Sequence, residues 1–163
     1  SCVWNIDKLP WFCDKAARMI ERAGATILLS LWGEEFSRFF PLLQAAEARG
    51  VALCIVHFGP VEQSCGQLYA HPIERTLYEE RGGRGFTLVV DSRETLLATL
   101  YPGDRVEGAW SLTPGLVTVA EDYIKHDVYV MKIVRRFDGL LIERFGAGYK
   151  KLRDVFRDEE VRR

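Results

Sequence analysis

The 163 residues, 48% apolar and 28% charged, suffice for one domain with a real core. A net charge of −1 excludes a general electrostatic footprint for nucleic acid, and acidic neighbours flank the basic clusters Arg81–Arg84 and Arg135-Arg136. Apolar runs such as Val51–Val56 fall far short of the ~20 residues of a membrane span, so no membrane partner is expected.

Val3–Ile6 reads as a short entry strand. Pro10–Ala23 follows as an amphipathic helix with Trp11, Phe12, Ala16, Met19, Ile20 and Ala23 inward and Gly24 as its C-cap. Ala25–Trp32 is a near-continuous apolar run, the pattern of a strand covered on both faces. Glu34–Arg49 is the next helix, with Phe36, Phe39, Phe40 and Leu43 inward, and Val51–Phe58 is a second buried strand. Strand, helix and strand joined by short glycine-marked links make a βαβ unit.

After a loop to Gly66, the alternation in Gln67–Ile73 predicts a strand and Pro72–Arg81 a short helix. Phe86–Val90 and Thr95–Tyr101 form a hairpin turned by Asp91–Glu94, and Val106–Ser111 is a further strand. Thr113 is placed as an N-cap, with Pro114 at the first position of a helix that runs through Phe137 and then continues to about Arg144 or breaks at Asp138-Gly139. Tyr149–Val161 is expected as a charged final helix with Leu152, Val155 and Phe156 inward. The result is an α/β class with a mixed sheet and helices on both faces.

Four cysteines lie at positions 2, 13, 54 and 65, with no C-x-x-C pair. The zinc signal is therefore absent, and a reduced cytoplasmic setting is the simplest expectation. Cys54 reads as a small hydrophobe inside a strand, and Cys65 with His57 and His71 matches no metal or nucleophile template, so no metal and no cofactor are expected. No charged segment followed by an apolar one opens the chain, so no signal peptide is expected. Ser1-Cys2-Val3 lacks an initiator methionine and reads as the cut edge of a longer protein.

The long helix carries the most informative residue. At roughly 100° per residue, Leu116, Ala120, Tyr123, Val130 and Val134 form one stripe, widened by Ile124 and Met131 on one side and Val119 and Phe137 on the other. Asp127 falls near its centre. An ionised carboxylate there costs several kcal/mol unless paired, so it either holds up its surroundings or faces a ligand. His126 stands one step round the helix.

Several segments resemble the C-terminal effector domain of TrmB-type transcriptional regulators. They are Ser30-Leu31-Trp32 before an acidic helix, Ala48–Val51 leading to His57-Phe58-Gly59, Tyr69-Ala70-His71, Gly85–Asp91, Trp110–Pro114 and Glu121–Lys132. The resemblance implies a single effector-binding and dimerisation domain over residues 1–163, with a winged-helix DNA reader upstream of Ser1. It implies a homodimer, an unknown small-molecule effector, and DNA contact only through the absent reader. A sugar ligand is not carried over, because the archaeal sugar-binding extension lies beyond this chain.

That effector domain also resembles the phospholipase D fold, whose enzymes need H-x-K-x-x-x-x-D. Alignment on Asp91 puts Arg84 at the histidine position and Phe86 at the lysine position, so the expectation is a catalytically degenerate, non-enzymatic domain with no catalytic residue. Asp91 itself reads as a turn residue. The candidate ligand-binding residues are Trp32, Glu35, His57, His71, Trp110, His126 and Asp127. Each also has a structural reading, as core ring, helix-start acid or paired polar group. An altered phosphodiesterase and a ligand-free dimerisation module remain the alternatives.

Overall fold

The computed structural model describes residues 3–71 and 80–158. The chain divides into two compact units, Ser1–Val128 and Tyr129–Arg163.

In the first unit, the described residues form a seven-stranded sheet ordered β1-β7-β6-β5-β2-β3-β4. The strands are β1 (Val3–Lys8), β2 (Thr26–Trp32), β3 (Ala52–Phe58), β4 (Gln67–Ala70), β5 (Arg84–Val90), β6 (Glu94–Tyr101) and β7 (Arg105–Ser111). β2, β3 and β4 run parallel, and the remaining pairings are antiparallel. The apolar runs at 25–32 and 51–58 thus become central strands, as their lack of alternation requires. The strand expected over 67–73 stops at Ala70, and the helix expected over 72–81 lies mostly outside the described residues.

Helices α1 (Leu9–Arg22) and α2 (Gly33–Ala48) cover one face of the sheet. Phe12, Met19 and Ile20 of α1 and Phe36, Phe39 and Leu43 of α2 pack on Ile27, Leu29, Leu31, Ile55, Phe86 and Leu88, all at most 2% exposed. Trp11, expected inward, is 62% exposed. It sits one step off the stripe set by Phe12, Ala16, Met19 and Ile20. Gly24 is not a left-handed cap; its N–H is held by Asp91.

The β5–β6 turn places both Asp91 (φ 53°) and Ser92 (φ 52°) in the left-handed region, as a tight hairpin between right-twisted strands demands. The Asp91 carboxylate accepts three backbone N–H groups, from Gly24 (2.9 Å), Ala25 (2.7 Å) and Thr26 (2.9 Å). It therefore stitches the hairpin to the entry of β2.

The second face meets the first half of α3 (Pro114–Phe145), because Tyr123 lines one cleft with residues of β2, β5, β6 and β7. Val117, Ala120, Ile124 and Val128 are buried there, whereas Leu116 (37%), Tyr123 (38%) and Val119 (69%) are not. The inward stripe is thus turned toward Val117 and Val128 from the one expected.

In the second unit, α3 continues to Phe145 with a non-helical residue at Phe137 (φ −125°, ψ 21°), next to the Asp138-Gly139 step. The final helix is only α4 (Lys150–Arg153), and Leu152, Val155 and Phe156 are exposed rather than inward. The glycines at 146 and 148, both at positive φ, and the left-handed Tyr149 interrupt the helical path before that segment begins.

Candidate functional site

The sheet's second face opens into a cleft of about 470 Å³, within the few-hundred-Å³ range of small-molecule sites. Its floor follows from strand register. Ser30, Thr87, Leu97 and Ala109 lie on one rung across β2, β5, β6 and β7, and Gly85, Thr99 and Glu107 on the next. These positions alternate with the core-facing Leu29, Phe86, Leu88, Leu96 and Ala98, so period two alone sends them to the other side. Apart from Leu97 and Glu107, these side chains are small or hydroxylated and leave depth that further leucines would fill. Gly83 is needed for a related reason: a Cβ there would lie 2.8 Å from the Leu100 carbonyl oxygen.

One wall is aromatic. Trp32 and Phe58, register partners at the carboxyl ends of β2 and β3, stack with centroids 5.4 Å apart. His71 stacks on the far side of Phe58 at 4.4 Å, and its N–H donates to the His57 carbonyl at 2.8 Å. The row Trp32–Phe58–His71 thus crosses three parallel strand ends, where open α/β sheets collect ligands. Tyr123 closes the cleft from α3, and Arg81 supplies a cation at its edge. Glu107 is engaged by the Tyr101 hydroxyl at 3.2 Å and by Arg105 at 3.0 Å.

The seven candidate residues do not converge on one place. Trp32 lines the cleft, and His71 backs it through Phe58. Asp127 is half-buried; burial raises its pKa, and the Arg81 charge at the cleft edge pulls it back. His126 is exposed.

His57 points to the opposite face, 1% exposed, with the Phe36 ring edge-on at 5.2 Å. It borders an adjoining pocket of about 380 Å³ at the start of α2 with Gly33, Glu34, Ser37 and Pro60, which shares Trp32 and Phe58 with the cleft. Burial lowers its pKa, and its Nδ1 has no hydrogen-bond partner among the described residues. Glu35, 4% exposed, is spent on Arg84, which donates to it from Nη2 at 2.8 Å and from Nε at 3.1 and 3.2 Å.

Trp110 stacks on Trp4 at 4.6 Å, carries Lys15 Nζ over its ring at 3.6 Å, and donates to Glu94 at 2.9 Å. It packs on the α1 face of β7, four strand spacings from β3, or roughly 19 Å. A single cleft joining Trp32, His57, His71, Trp110 and Asp127 is therefore not what the fold builds. Phe58, Arg81, Thr87, Thr99 and Tyr123 were the cleft residues that sequence reasoning passed over. The one signal available for them was the run of Gly, Ser and Thr on alternate strand positions.

The positions of a phospholipase D motif are occupied otherwise. Arg84 is in the ion pair with Glu35, Phe86 is 2% exposed in the core, and Asp91 accepts backbone N–H groups. The described residues contain no cluster of metal-ligating side chains. Cys65 is buried, and desolvation pushes its thiol up to about 11.

Residues 2–108 match the family model for the N-terminal subdomain of the effector-binding domain (EBD) of the transcriptional regulator TrmB. A curated relative, the uncharacterised protein YrhO of Bacillus subtilis (strain 168), is 30% identical over 154 residues. The match covers 94% of this chain but 56% of the relative, so this chain spans about half of that protein's length. Among solved structures, the archaeal chromatin protein TrmBL2 is similar with a TM-score of 0.55 at 17% identity, over 77% of this chain and 51% of that one.

NucT from Helicobacter pylori is similar with a TM-score of 0.59 at 7% identity, over 78% of this chain and 96% of that one. Nuc from Salmonella typhimurium, a phospholipase D family member, gives 0.52 at 14% identity, over 77% and 91%. The fold is thus shared between regulator domains and phospholipase D-like proteins.

Proposed function

The chain belongs to the TrmB family of transcriptional regulators, and from that premise we propose that it is the ligand-sensing and dimerisation domain of one such regulator. It would couple a small-molecule effector to DNA binding by a winged-helix domain carried elsewhere in the protein. The observation that carries the proposal is the cleft beneath Tyr123. It combines a pre-formed aromatic wall, a floor made largely of hydroxyls and small residues, and the Arg81 cation, which suits a compact polar molecule with a flat or apolar face.

The mechanism is a population shift. Effector in the cleft favours one packing of α3 over another, and a dimer transmits that choice to the spacing of its two DNA readers. A ligand-library thermal-shift screen tests the sensing step. An effector at about 100 times its Kd adds roughly 2.7 kcal/mol, hence roughly 5–10 °C at 2–4 °C per kcal/mol. The Thr87→Leu substitution, which fills the floor, abolishes that shift without unfolding the domain. A hit whose shift survives Thr87→Leu places the sensor elsewhere.

The enzymatic alternative is disfavoured by the same geometry. Neither an imidazole nor an ammonium stands at residues 84 and 86, and Asp91 is committed to Gly24, Ala25 and Thr26. Hydrolysis of a generic phosphodiester, lost on changing His71 or Asp127, would reinstate it.

A further inference from the structure

The cleft holds polar groups that the fold itself does not use. Elsewhere in the first unit hydroxyls are committed: Thr95 donates to the Leu88 carbonyl, Ser92 donates to Glu121, and the Ser111 hydroxyl accepts the Thr113 N–H. Ser30, Thr87 and Thr99 face the cleft, and their side chains hydrogen-bond to no described residue. Arg81 likewise forms no hydrogen bond or close ion pair with a described residue. Glu107, the one acid of the lining, has its oxygens engaged by Arg105 and the Tyr101 hydroxyl. What the cleft offers a visitor is therefore a set of donors and one positive charge.

Strand register brings that charge to the aromatic wall. β2 and β5 are antiparallel with Ser30 paired to Thr87, so Trp32, two residues on, stands level with Gly85. A Cβ at Gly85 would lie 3.6 Å from Arg81 Nη1. The guanidinium thus hangs over the floor where no side chain separates it from the strand, roughly 5 Å (one strand spacing) from the Trp32 backbone.

We propose that the cleft takes an aromatic carboxylate, with its ring against Trp32 and its carboxylate on the Arg81 guanidinium. The inference rests on the sensing role given above and names the effector's chemical class. A planar guanidinium presents two parallel N–H donors that match one carboxylate. Among the described residues of the lining Arg81 is the single cation, which meets one negative charge but not the two of a phosphate monoester. Trp32 and Tyr123 supply ring faces that an aliphatic acid would leave unused.

Arg81 also ties the site to α3. Its charge acts on Asp127, one helical turn after Tyr123. A carboxylate seated on Arg81 takes up part of that charge, so α3 feels occupancy at Asp127 as well as at Tyr123.

Isothermal titration calorimetry at constant ionic strength tests the class. The probes are benzoate, salicylate, nicotinate and indole-3-carboxylate, each beside its neutral amide, together with acetate and phenyl phosphate. At least one aromatic acid binds, and its amide binds about tenfold more weakly or worse, the size expected for a lost charged hydrogen-bond pair. Arg81→Gln, at an exposed position, weakens the acid by a similar factor with circular dichroism unchanged, and Arg81→Lys recovers part of the loss. An amide that matches its acid, or an acid whose affinity survives Arg81→Gln, overturns the inference and leaves the sensing role standing. Tighter binding of phenyl phosphate or acetate than of every aromatic acid overturns the assigned class in the same way. Binding of none of the acids also overturns it, while the open ligand-library screen decides the sensing role separately.

Discussion

Asp91→Ala isolates what a motif-position aspartate does in this fold. The carboxylate accepts N–H groups from Gly24, Ala25 and Thr26 at 2.7–2.9 Å and so fixes the link between α1 and β2. Hydrogen bonds to a charged acceptor contribute about 1.5–3 kcal/mol each where water is excluded. The site is partly open, so water replaces some of that, and a net loss of about 2–4 kcal/mol is expected for the three together. Alanine also inherits a φ of 53°, which adds about 1–2 kcal/mol. At about 2–4 °C per kcal/mol for a chain of this size, the melting midpoint at neutral pH falls by roughly 6–24 °C.

Asp91→Asn keeps one acceptor oxygen and a residue tolerant of left-handed backbone, so its loss is smaller. Burial raises the Asp91 pKa, but the N–H bonds from Gly24, Thr26 and Ala25 and the Arg93 charge outweigh it, and the net shift is downward from 3.8. The stabilisation is therefore present above that value and is lost as pH falls through the lowered pKa. The gap between wild type and Asp91→Asn should accordingly close in strong acid. Melting followed by circular dichroism at pH 7 and at low pH reads both effects. An alanine variant that melts with wild type at pH 7 refutes the clamp.

Further outcomes follow from the same geometry. Glu35→Ala removes the close partner of Arg84 and leaves Glu34 at 3.8 Å, and since Arg84 is 24% exposed the expected cost lies below the 3–5 kcal/mol of a fully buried pair; equilibrium urea unfolding should give about 2–3 kcal/mol, and a loss under about 0.5 kcal/mol rejects the role. Gly83→Ala drives a Cβ to 2.8 Å from the Leu100 carbonyl, and a destabilisation of about 1–3 kcal/mol is expected in the same measurement. Burial lowers the His57 pKa from 6.5, so the neutral ring's contribution is complete above that value and declines as pH falls through the lowered pKa. Urea midpoints below pH 6.5 should therefore drop for wild type and drop less for His57→Phe, which retains a ring.

The βαβ unit was legible because its strands are apolar on both faces and its glycines fall at the joints. The hairpin was legible because Asp91-Ser92 interrupts two alternating runs. The cleft was not, because a cleft is defined by side chains that are small, and nothing in one sequence distinguishes a threonine facing solvent from one flooring a cavity. Trp110 and Glu35 misled for a related reason. Aromatic and acidic residues at strand ends suit a ligand, but here a neighbouring tryptophan and an arginine far along the chain take up the same chemistry. Only tertiary pairing decides which partner arrives.

The long helix shows the limit most plainly. Its apolar residues cover so much of the circumference that a single period of 3.6 averages two stripes into one. One stripe, through Val117, Ala120, Ile124 and Val128, is consumed by its own sheet. The other, through Leu116, Val119 and Tyr123, stays largely exposed. At roughly 100° per residue Asp127 lies about midway between them, not at the centre of either. A carboxylate on that boundary is half-desolvated and within the influence of Arg81, which explains why it neither ionises as freely as a surface acid nor needs a dedicated buried partner. Its position closes the covered stripe with a polar edge, where an apolar residue would merge it with the exposed one.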